Sequence, residues 1–154
     1  MGIFNFWRKT SHFFSPEKSE KIGEAVRHAE KQTSGEIRVY IESHCRFVDP
    51  LDRAVELFGG LHMEKTTDRN GVLVYVAMKD RQLAIFGDEG IHLKVGDNFW
   101  TAEVQKMINQ FNSANYAEGI AEIIKEIGDA LRYHFPYDRL NDKNELPDDI
   151  VFGK

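Results

Sequence analysis

Cysteine is nearly absent from this chain of 154 residues, and the single Cys45 excludes an intramolecular disulfide. No apolar run approaches the roughly 20 residues that a transmembrane helix needs. The N-terminus lacks the apolar stretch followed by small residues that is typical of a secretory signal. Because these absences fit a reducing compartment, we expect the protein to be cytoplasmic.

An excess of basic residues is also missing. Lysine and arginine together number 20 against 25 aspartates and glutamates, so the net charge is −5. In a chain without a basic stripe or a nucleic-acid motif, this charge argues against nucleic acid as a partner. Apolar residues make up 42% of the chain and charged residues 29%, which indicates one ordinary globular domain.

Three segments have the pattern of β-strands. Residues 36–42 alternate between apolar and polar side chains, which predicts a strand with one buried face. Residues 72–77 are almost entirely apolar, as expected of a strand that helices cover on both faces. The polar pair Lys79-Asp80 then predicts a turn into a returning strand over residues 82–86.

Four segments carry apolar residues at helical spacing. Ser15 and Asp49, each followed by proline, predict the starts of the first two helices. Two further stripes run over residues 100–111 and 116–131. A strand, a helix and another strand form a crossover unit, so the first two strands should be parallel.

We therefore expect an α/β fold, a three-layer α/β/α sandwich with about two helices on each face. Its small mixed sheet should join a parallel crossover pair to an antiparallel hairpin. A fourth short strand near residues 91–95 is left open. The domain should cover residues 15–135, between an aromatic N-terminal segment, 1–14, and an acidic tail, 136–154, that we expect to be mobile.

Aromatic residues crowd the N-terminal segment, and two interpretations of them are open. In the first, the segment packs onto the domain. In the second, residues 3–14 make weak peripheral contact with a membrane or a partner protein, since Arg8 and Lys9 stand among the aromatic side chains. The aromatic residues are Phe4, Phe6, Trp7, Phe13 and Phe14.

Oxygen-bearing residues flank the predicted strands at one edge of the sheet. The two parallel strands begin at this edge and the antiparallel strand ends there, so these residues should meet. Calcium takes about six to eight oxygen ligands from carboxylates, amides and carbonyls. The order of the strands therefore predicts a divalent-cation site formed by Glu36, Asp68, Asn70, Asp88 and Glu89.

A second interpretation of the same residues is open as well. Asp-x-Asn-Gly and Gly-Asp-Glu-Gly are also ordinary turn sequences, which need no ligand. The opposite edge of the sheet is a poorer candidate for a cation because its charges are mixed. Its polar residues are Glu42, His44, Lys79 and Asp80.

Other familiar sites are missing from the sequence. It has no phosphate loop, no dinucleotide-binding motif and no His-Glu-x-x-His, and its six histidines lack the spacing of zinc ligands. The loop at Thr66 resembles the start of a helix–loop–helix calcium loop, but Ala77 stands where the closing glutamate should be. Cys45 and His44 are neighbours at a strand end and should point apart, which argues against a Cys–His nucleophile.

Four stretches of the chain resemble the TPM domain family. The family is named for thylakoid-lumen acid phosphatase, photosystem II repair and nematode channel-associated members. The resemblance covers roughly residues 16–135 and is to a bacterial-type member without a signal peptide. The stretches are residues 33–39, residues 70–76 with Arg81, residues 86–91 and residues 116–120.

The resemblance implies an α/β/α sandwich that binds divalent cations, most often calcium, at the loops flanking the central strands. Acid phosphatase activity is attributed only to a plant member. The chain departs from many members because it lacks their signal peptide and transmembrane helix. It also has Gly-Asp-Glu-Gly at residues 87–90 where they have Gly-x-Gly-Leu-Glu. The additional acid would either strengthen cation binding or repel a phosphate.

Two functions follow from these observations. The first is a non-catalytic calcium-binding protein that assists or scaffolds other proteins, because the predicted site has no evident nucleophile. The second is a metal-assisted acid phosphatase that acts on phosphomonoesters, with the cation polarising a phosphoryl oxygen. Its candidate phosphate ligands are Arg38, Arg81 and, nearest to the predicted site, Arg69.

Overall fold

The structure, a computed structural model, describes residues 13–112, 115–137 and 150–153. Within these ranges no helix has both the length and the apolar character needed to cross a membrane. Phe14 is buried in the core, and the ring of Phe13 stacks on Phe152 at a centroid distance of 5.9 Å. The other aromatic residues of the N-terminal segment lie outside the described residues.

A mixed four-stranded sheet forms the centre of the described domain. Its strands are β1 (Glu36–Glu42), β2 (Gly71–Ala77), β3 (Gln82–Gly87) and β4 (Val151–Phe152), in the spatial order β3-β2-β1-β4. As predicted, β1 and β2 are parallel and β2 and β3 form an antiparallel hairpin. The edge strand β4 runs parallel to β1.

Five helices pack on this sheet in the described part of the chain. The first begins where the sequence predicts, because the Ser15 hydroxyl caps it by accepting a hydrogen bond from the Lys18 N–H at 3.3 Å. The helices are α1 (Pro16–Glu30), α2 (Pro50–Gly60), α3 (Glu89–Val95), α4 (Asp97–Asn112) and α5 (Tyr116–His134).

The helices are divided unequally between the two faces of the sheet. Ile37, Val39 and Ile41 of β1 belong to a large apolar cluster with α1, α3, α4 and α5. Leu73 and Tyr75 of β2 face the other way and belong to a smaller cluster with α2. The three expected layers are therefore present, but the described helices are arranged four against one rather than two against two. The crossover helix α2, which connects β1 to β2, is the one described helix on the face of the smaller cluster, and the other four pack on the opposite face.

Residues 91–95, which on the sequence alone could form a fourth short strand, are helical. Asp88 caps α3 by accepting a hydrogen bond from the Glu89 N–H at 2.8 Å, so the chain turns into a helix directly after β3. Ile91 points from this helix into the large cluster. The apolar residues of this segment therefore serve helix packing.

The fourth strand comes instead from the segment expected to be a tail. Ile150 and Phe152 are buried, and β4 pairs with the second half of β1. The C-terminal end of the domain thus lies beyond residue 135, and residues 138–149 lie outside the described residues. The sequence did not reveal β4 because the strand is only two residues long. Two residues are too few to show the alternation of apolar and polar side chains that marks a strand.

Two carboxylates meet between α4 and α5. Lys106 Nζ lies 3.4 Å from Glu103 Oε1 and 2.6 Å from Glu126 Oε1. Burial raises the pKa of Glu103, the negative charge of Glu126 raises it further, and Lys106 opposes both effects. The folded protein therefore holds this proton to higher pH than the unfolded chain does, so the free energy of unfolding loses this contribution as pH rises through the raised pKa.

We expect Glu103→Gln to stabilise the protein more, relative to wild type, at about pH 7 than at about pH 4. The measurement is urea unfolding at both pH values. Glu122→Gln, which changes an exposed carboxylate of α5, is the matched control. It should change the free energy of unfolding by the same amount at both pH values. A relative stability of Glu103→Gln that falls as pH rises would contradict the assignment.

Candidate cation site

The three strand ends that the sequence places at one edge do meet there. Glu36 stands opposite Gly71 in the parallel ladder, and Val72 stands opposite Gly87 in the antiparallel one. Two hydrogen bonds join the flanking loops: the Glu36 N–H donates to the Asn70 carbonyl at 3.4 Å and the Asp88 N–H to the Gly71 carbonyl at 2.9 Å. We call Glu36, Asp68, Asn70, Asp88 and Glu89 the acidic edge.

Arg69 neutralises one side of the acidic edge. Its guanidinium donates two hydrogen bonds to the buried Asp88 carboxylate, at 2.6 and 2.9 Å, and lies 3.2 Å from Glu89. The hydrogen bond to Asp88 raises the pKa of Arg69. Arg69 is a candidate phosphate ligand on the sequence alone, but in the structure its guanidinium is engaged by two carboxylates.

Asn70 has a buried amide with an unmatched oxygen. The side chain is 1% exposed, its Nδ2 donates to Ser34 Oγ at 3.2 Å, and its backbone N–H donates to Thr66 Oγ1 at 3.2 Å. Asn70 Oδ1 accepts no hydrogen bond from the described residues. Because a buried polar oxygen without a donor is costly, this atom is the strongest structural sign of a ligand at the edge.

The other members of the acidic edge differ in exposure. Glu36 is buried, while Asp68 and Glu89 are exposed. The Asp68 backbone packs closely on the start of α3: a β-carbon on Gly90 would lie 2.0 Å from the Asp68 carbonyl oxygen. The loop before β2 and the start of α3 therefore touch through their backbones.

Sequence reasoning missed Glu64, which lies in the same loop as Asp68. One of its carboxylate oxygens is buried and accepts no hydrogen bond from the described residues. Its charge also contributes to the raised pKa of Arg69, after Asp88 and Glu89. The only signal for it in the sequence is its position a few residues before Asp68, which no motif marks.

The carboxylates of the edge are not gathered around a common point. Among the described residues, no three histidine, cysteine, aspartate or glutamate side chains are grouped so that they hold a metal ion. Of the five predicted ligands, the structure brings Asp88 and Glu89 together through Arg69 and buries Glu36 and Asn70 nearby. Cation binding by these residues stays a prediction.

The opposite edge of the sheet carries a closed polar network. The buried Glu42 carboxylate accepts hydrogen bonds from the Tyr75 hydroxyl and from Arg53, whose Nε and Nη2 lie at 2.9 and 3.0 Å. Burial, followed by the hydrogen bond with Glu42, raises the pKa of Tyr75. Both carboxylate oxygens are satisfied, so this network serves as a structural link between α2 and the sheet.

Beside this network, Asp80 holds the end of β1. Its carboxylate pairs with His44 Nδ1 at 2.8 Å and accepts the Cys45 N–H at 2.7 Å, and the hydrogen bond with His44 lowers the pKa of Asp80. The Cys45 thiol donates instead to the Val48 carbonyl. The two side chains thus make separate contacts, in agreement with the argument against a Cys–His nucleophile.

A comparison with models of known protein families identifies the family of this chain. The TPM domain model matches residues 8–130. The chain belongs to the TPM domain family. The match extends over both loops of the acidic edge and all five described helices except the last residues of α5.

Solved structures support this TPM domain assignment. The chain is similar to the BA42 protein from the psychrophilic bacterium Bizionia argentinensis, with 40% identity, 92% of this chain and 96% of that chain covered, and a TM-score of 0.83. The N-terminal domain of a protein from P. gingivalis has 20% identity, coverages of 82% and 83%, and a TM-score of 0.66.

A third solved structure, the N-terminal domain of the cg2496 protein from Corynebacterium glutamicum, has 16% identity, coverages of 78% and 75%, and a TM-score of 0.63. At these identities, the last two likenesses concern the fold alone. A search of curated proteins found none that matches this chain.

Proposed function

We propose that the acidic edge binds a divalent cation, calcium above all, and that the protein is a non-catalytic binding or accessory protein. The observation that carries this proposal is Asn70 Oδ1, a buried oxygen that no donor among the described residues satisfies. Leaving such an atom unpaired costs about 1–3 kcal/mol. A cation bound to Asn70 Oδ1 would offset that cost.

The residues of the acidic edge fit calcium in their chemistry. Their donors are carboxylate and amide oxygens and backbone carbonyls, which are the ligands that hard cations prefer. Glu36 and Asp88 are buried beside Asn70, where a positive charge would be screened little by solvent. Asp68 and Glu89 are exposed, and Glu89 would have to leave its contact with Arg69 to reach an ion.

Arg69 acts as the competing charge at this site. Its guanidinium already neutralises Asp88, so a cation that uses Asp88 must displace Arg69 or share the carboxylate with it. The Arg69 side chain is 43% exposed, so it is able to turn into solvent. This competition favours a modest calcium affinity over a tight one.

Calcium should raise the thermal unfolding temperature and shift the NMR signals of residues 66–71 and 87–90, because a ligand that binds only the folded state stabilises it. Asp68→Asn and Asp88→Asn should each weaken binding by about tenfold. Asp52→Asn, an exposed carboxylate of α2, is the control and should bind as wild type. Absence of any shift at about 10 mM calcium, above the Kd of weak calcium modules, would refute the proposal.

Arg69→Gln should strengthen calcium binding, because it removes the positive charge that competes for Asp88. Calorimetric titration with calcium measures the change. Arg81→Gln, in the exposed turn between β2 and β3, is the matched control. If Arg69→Gln weakened calcium binding, Arg69 would be supporting the site rather than competing with the cation.

The alternative, a metal-assisted acid phosphatase, has less support because Arg69, its nearest phosphate ligand, is bound by two carboxylates. Hydrolysis of p-nitrophenyl phosphate by the wild type but not by Asp88→Ala would favour it. Activity that survives this substitution would indicate contamination. The cytoplasmic location expected from the sequence stays a prediction.

A further inference from the structure

An apolar surface lies on the outer side of α2. Leu51 and Val55 are one helical turn apart, so they are neighbours on one face. Phe47 is 101% exposed, and the other members are 42–47% exposed. Four exposed apolar side chains within one segment, residues 47–55, indicate an interaction surface. We call Phe47, Val48, Leu51 and Val55 the α2 surface.

The charges around the α2 surface are mainly acidic. Asp49, Asp52 and Glu56 are exposed along the helix. Arg53 adds little positive charge, because its guanidinium is bound by Glu42 and Glu56. Arg46 stands at the loop end of the surface. The fitting partner is therefore a segment that combines large apolar side chains with basic ones.

The chain itself contains a segment of this kind. Residues 1–12 contain no aspartate or glutamate, and they include Arg8 and Lys9. They also carry the large apolar side chains that the α2 surface requires. We propose that residues 1–12 dock on the α2 surface of the same molecule. The apolar residues are Ile3, Phe4, Phe6 and Trp7.

The starting point of this segment is within reach of the surface. The described chain begins at Phe13, which stacks on Phe152, and Phe152 stands opposite Ile41 near the end of β1. The loop that carries Phe47 leaves β1 at the same end. Twelve residues span up to about 40 Å when extended, which exceeds the thickness of two packed layers at about 10 Å each.

A spin label tests the docking. The label is attached at Asn5→Cys in a Cys45→Ser background, where serine keeps the hydrogen-bond donor to Val48, and the amide signals of the full-length ¹⁵N-labelled protein are recorded. We expect loss of intensity at residues 47–55 that does not depend on protein concentration. A second sample mixes ¹⁴N protein that carries the spin label with ¹⁵N protein that does not. In this mixture, the signals of residues 47–55 should keep their intensity.

Surface variants complete the test without touching the core. Leu51→Asp and Val55→Asp should each weaken docking by about tenfold. Leu93→Asp, on α3, is the matched control because Leu93 is 81% exposed and outside the surface, and it should leave the intensity loss unchanged. Far-ultraviolet circular dichroism checks that each variant is folded.

Three results would overturn the proposal. Intensity loss at residues 47–55 that also occurs in the mixture would show docking on a second copy. Intensity loss elsewhere, or none, would show that residues 1–12 do not occupy the α2 surface. No intensity loss at residues 47–55, together with binding of the wild type but not of a variant lacking residues 1–12 to anionic phospholipid vesicles, would assign the segment to a membrane surface.

Discussion

Gly90→Ala is expected to lower the free energy of unfolding by about 3 kcal/mol, near the upper end of the usual cost of overpacking. The added β-carbon would lie 2.0 Å from the carbonyl oxygen of Asp68 and 2.7 Å from that of Arg69. Both obstacles are backbone atoms, so no side-chain rotation relieves the clash. The loop before β2 would have to separate from α3, which also weakens the hydrogen bond from the Gly90 N–H to the Arg69 carbonyl at 2.8 Å.

Urea unfolding measures this loss, and calcium titration of the same variant should show weaker binding because the acidic edge is spread. Gly59→Ala is the matched control: nothing lies within 4 Å of its β-carbon position. That substitution in helix α2 should stabilise the protein by up to about 1 kcal/mol. If Gly90→Ala were as stable as wild type, the backbone contact between the two loops would be disproved.

Glu42→Ala is the second substitution with a large expected effect, again a loss of about 3 kcal/mol. It leaves the fully buried Tyr75 hydroxyl and the Arg53 guanidinium without their acceptor. Removing one partner of a buried ion pair usually costs more, but the Arg53 side chain is 25% exposed and regains some solvation.

The same arginine supplies the matched control for this prediction. Glu56 also pairs with Arg53, at 2.7 Å, but its side chain is 64% exposed. Glu56→Ala should therefore change the free energy of unfolding by less than about 0.5 kcal/mol. Tyr75→Phe should cost about 1 kcal/mol, and a double-mutant cycle with Glu42→Gln should reveal coupling. Equal effects of Glu42→Ala and Glu56→Ala would show that burial does not strengthen this network.

Local patterns explain why much of the fold was predictable. The alternation in β1 and the apolar run in β2 reflect whether one or both faces of a strand are covered, and both are visible in short windows. The crossover rule then sets β1 and β2 parallel, so Glu36 and Asn70 come to one edge. The helix over residues 91–95 was missed because the N-cap role of Asp88 competes with its turn character.

The candidate site was predictable in place but not in detail. The order of the strands brings Asp68 and Asp88 to one edge, whatever the side chains do. Arg69, which pairs with Asp88, has a left-handed backbone conformation with φ of 50°, which is rare for a residue with a β-carbon. No sequence pattern specifies that conformation or the burial of Asn70 Oδ1.

By itself, the sequence determined the hairpin, the crossover and the edge where polar residues collect, because each depends on short-range periodicity and chain order. The family followed from the resemblance of four stretches of the chain to the TPM domain. The tertiary structure alone decided that Arg69 pairs with Asp88 and Glu89, that one oxygen of Glu64 is buried in the loop before β2, and that β4 pairs with β1. The pairing of Arg69 with Asp88 and that of β4 with β1 join separate segments of the chain, and their geometry depends on how closely the backbones approach.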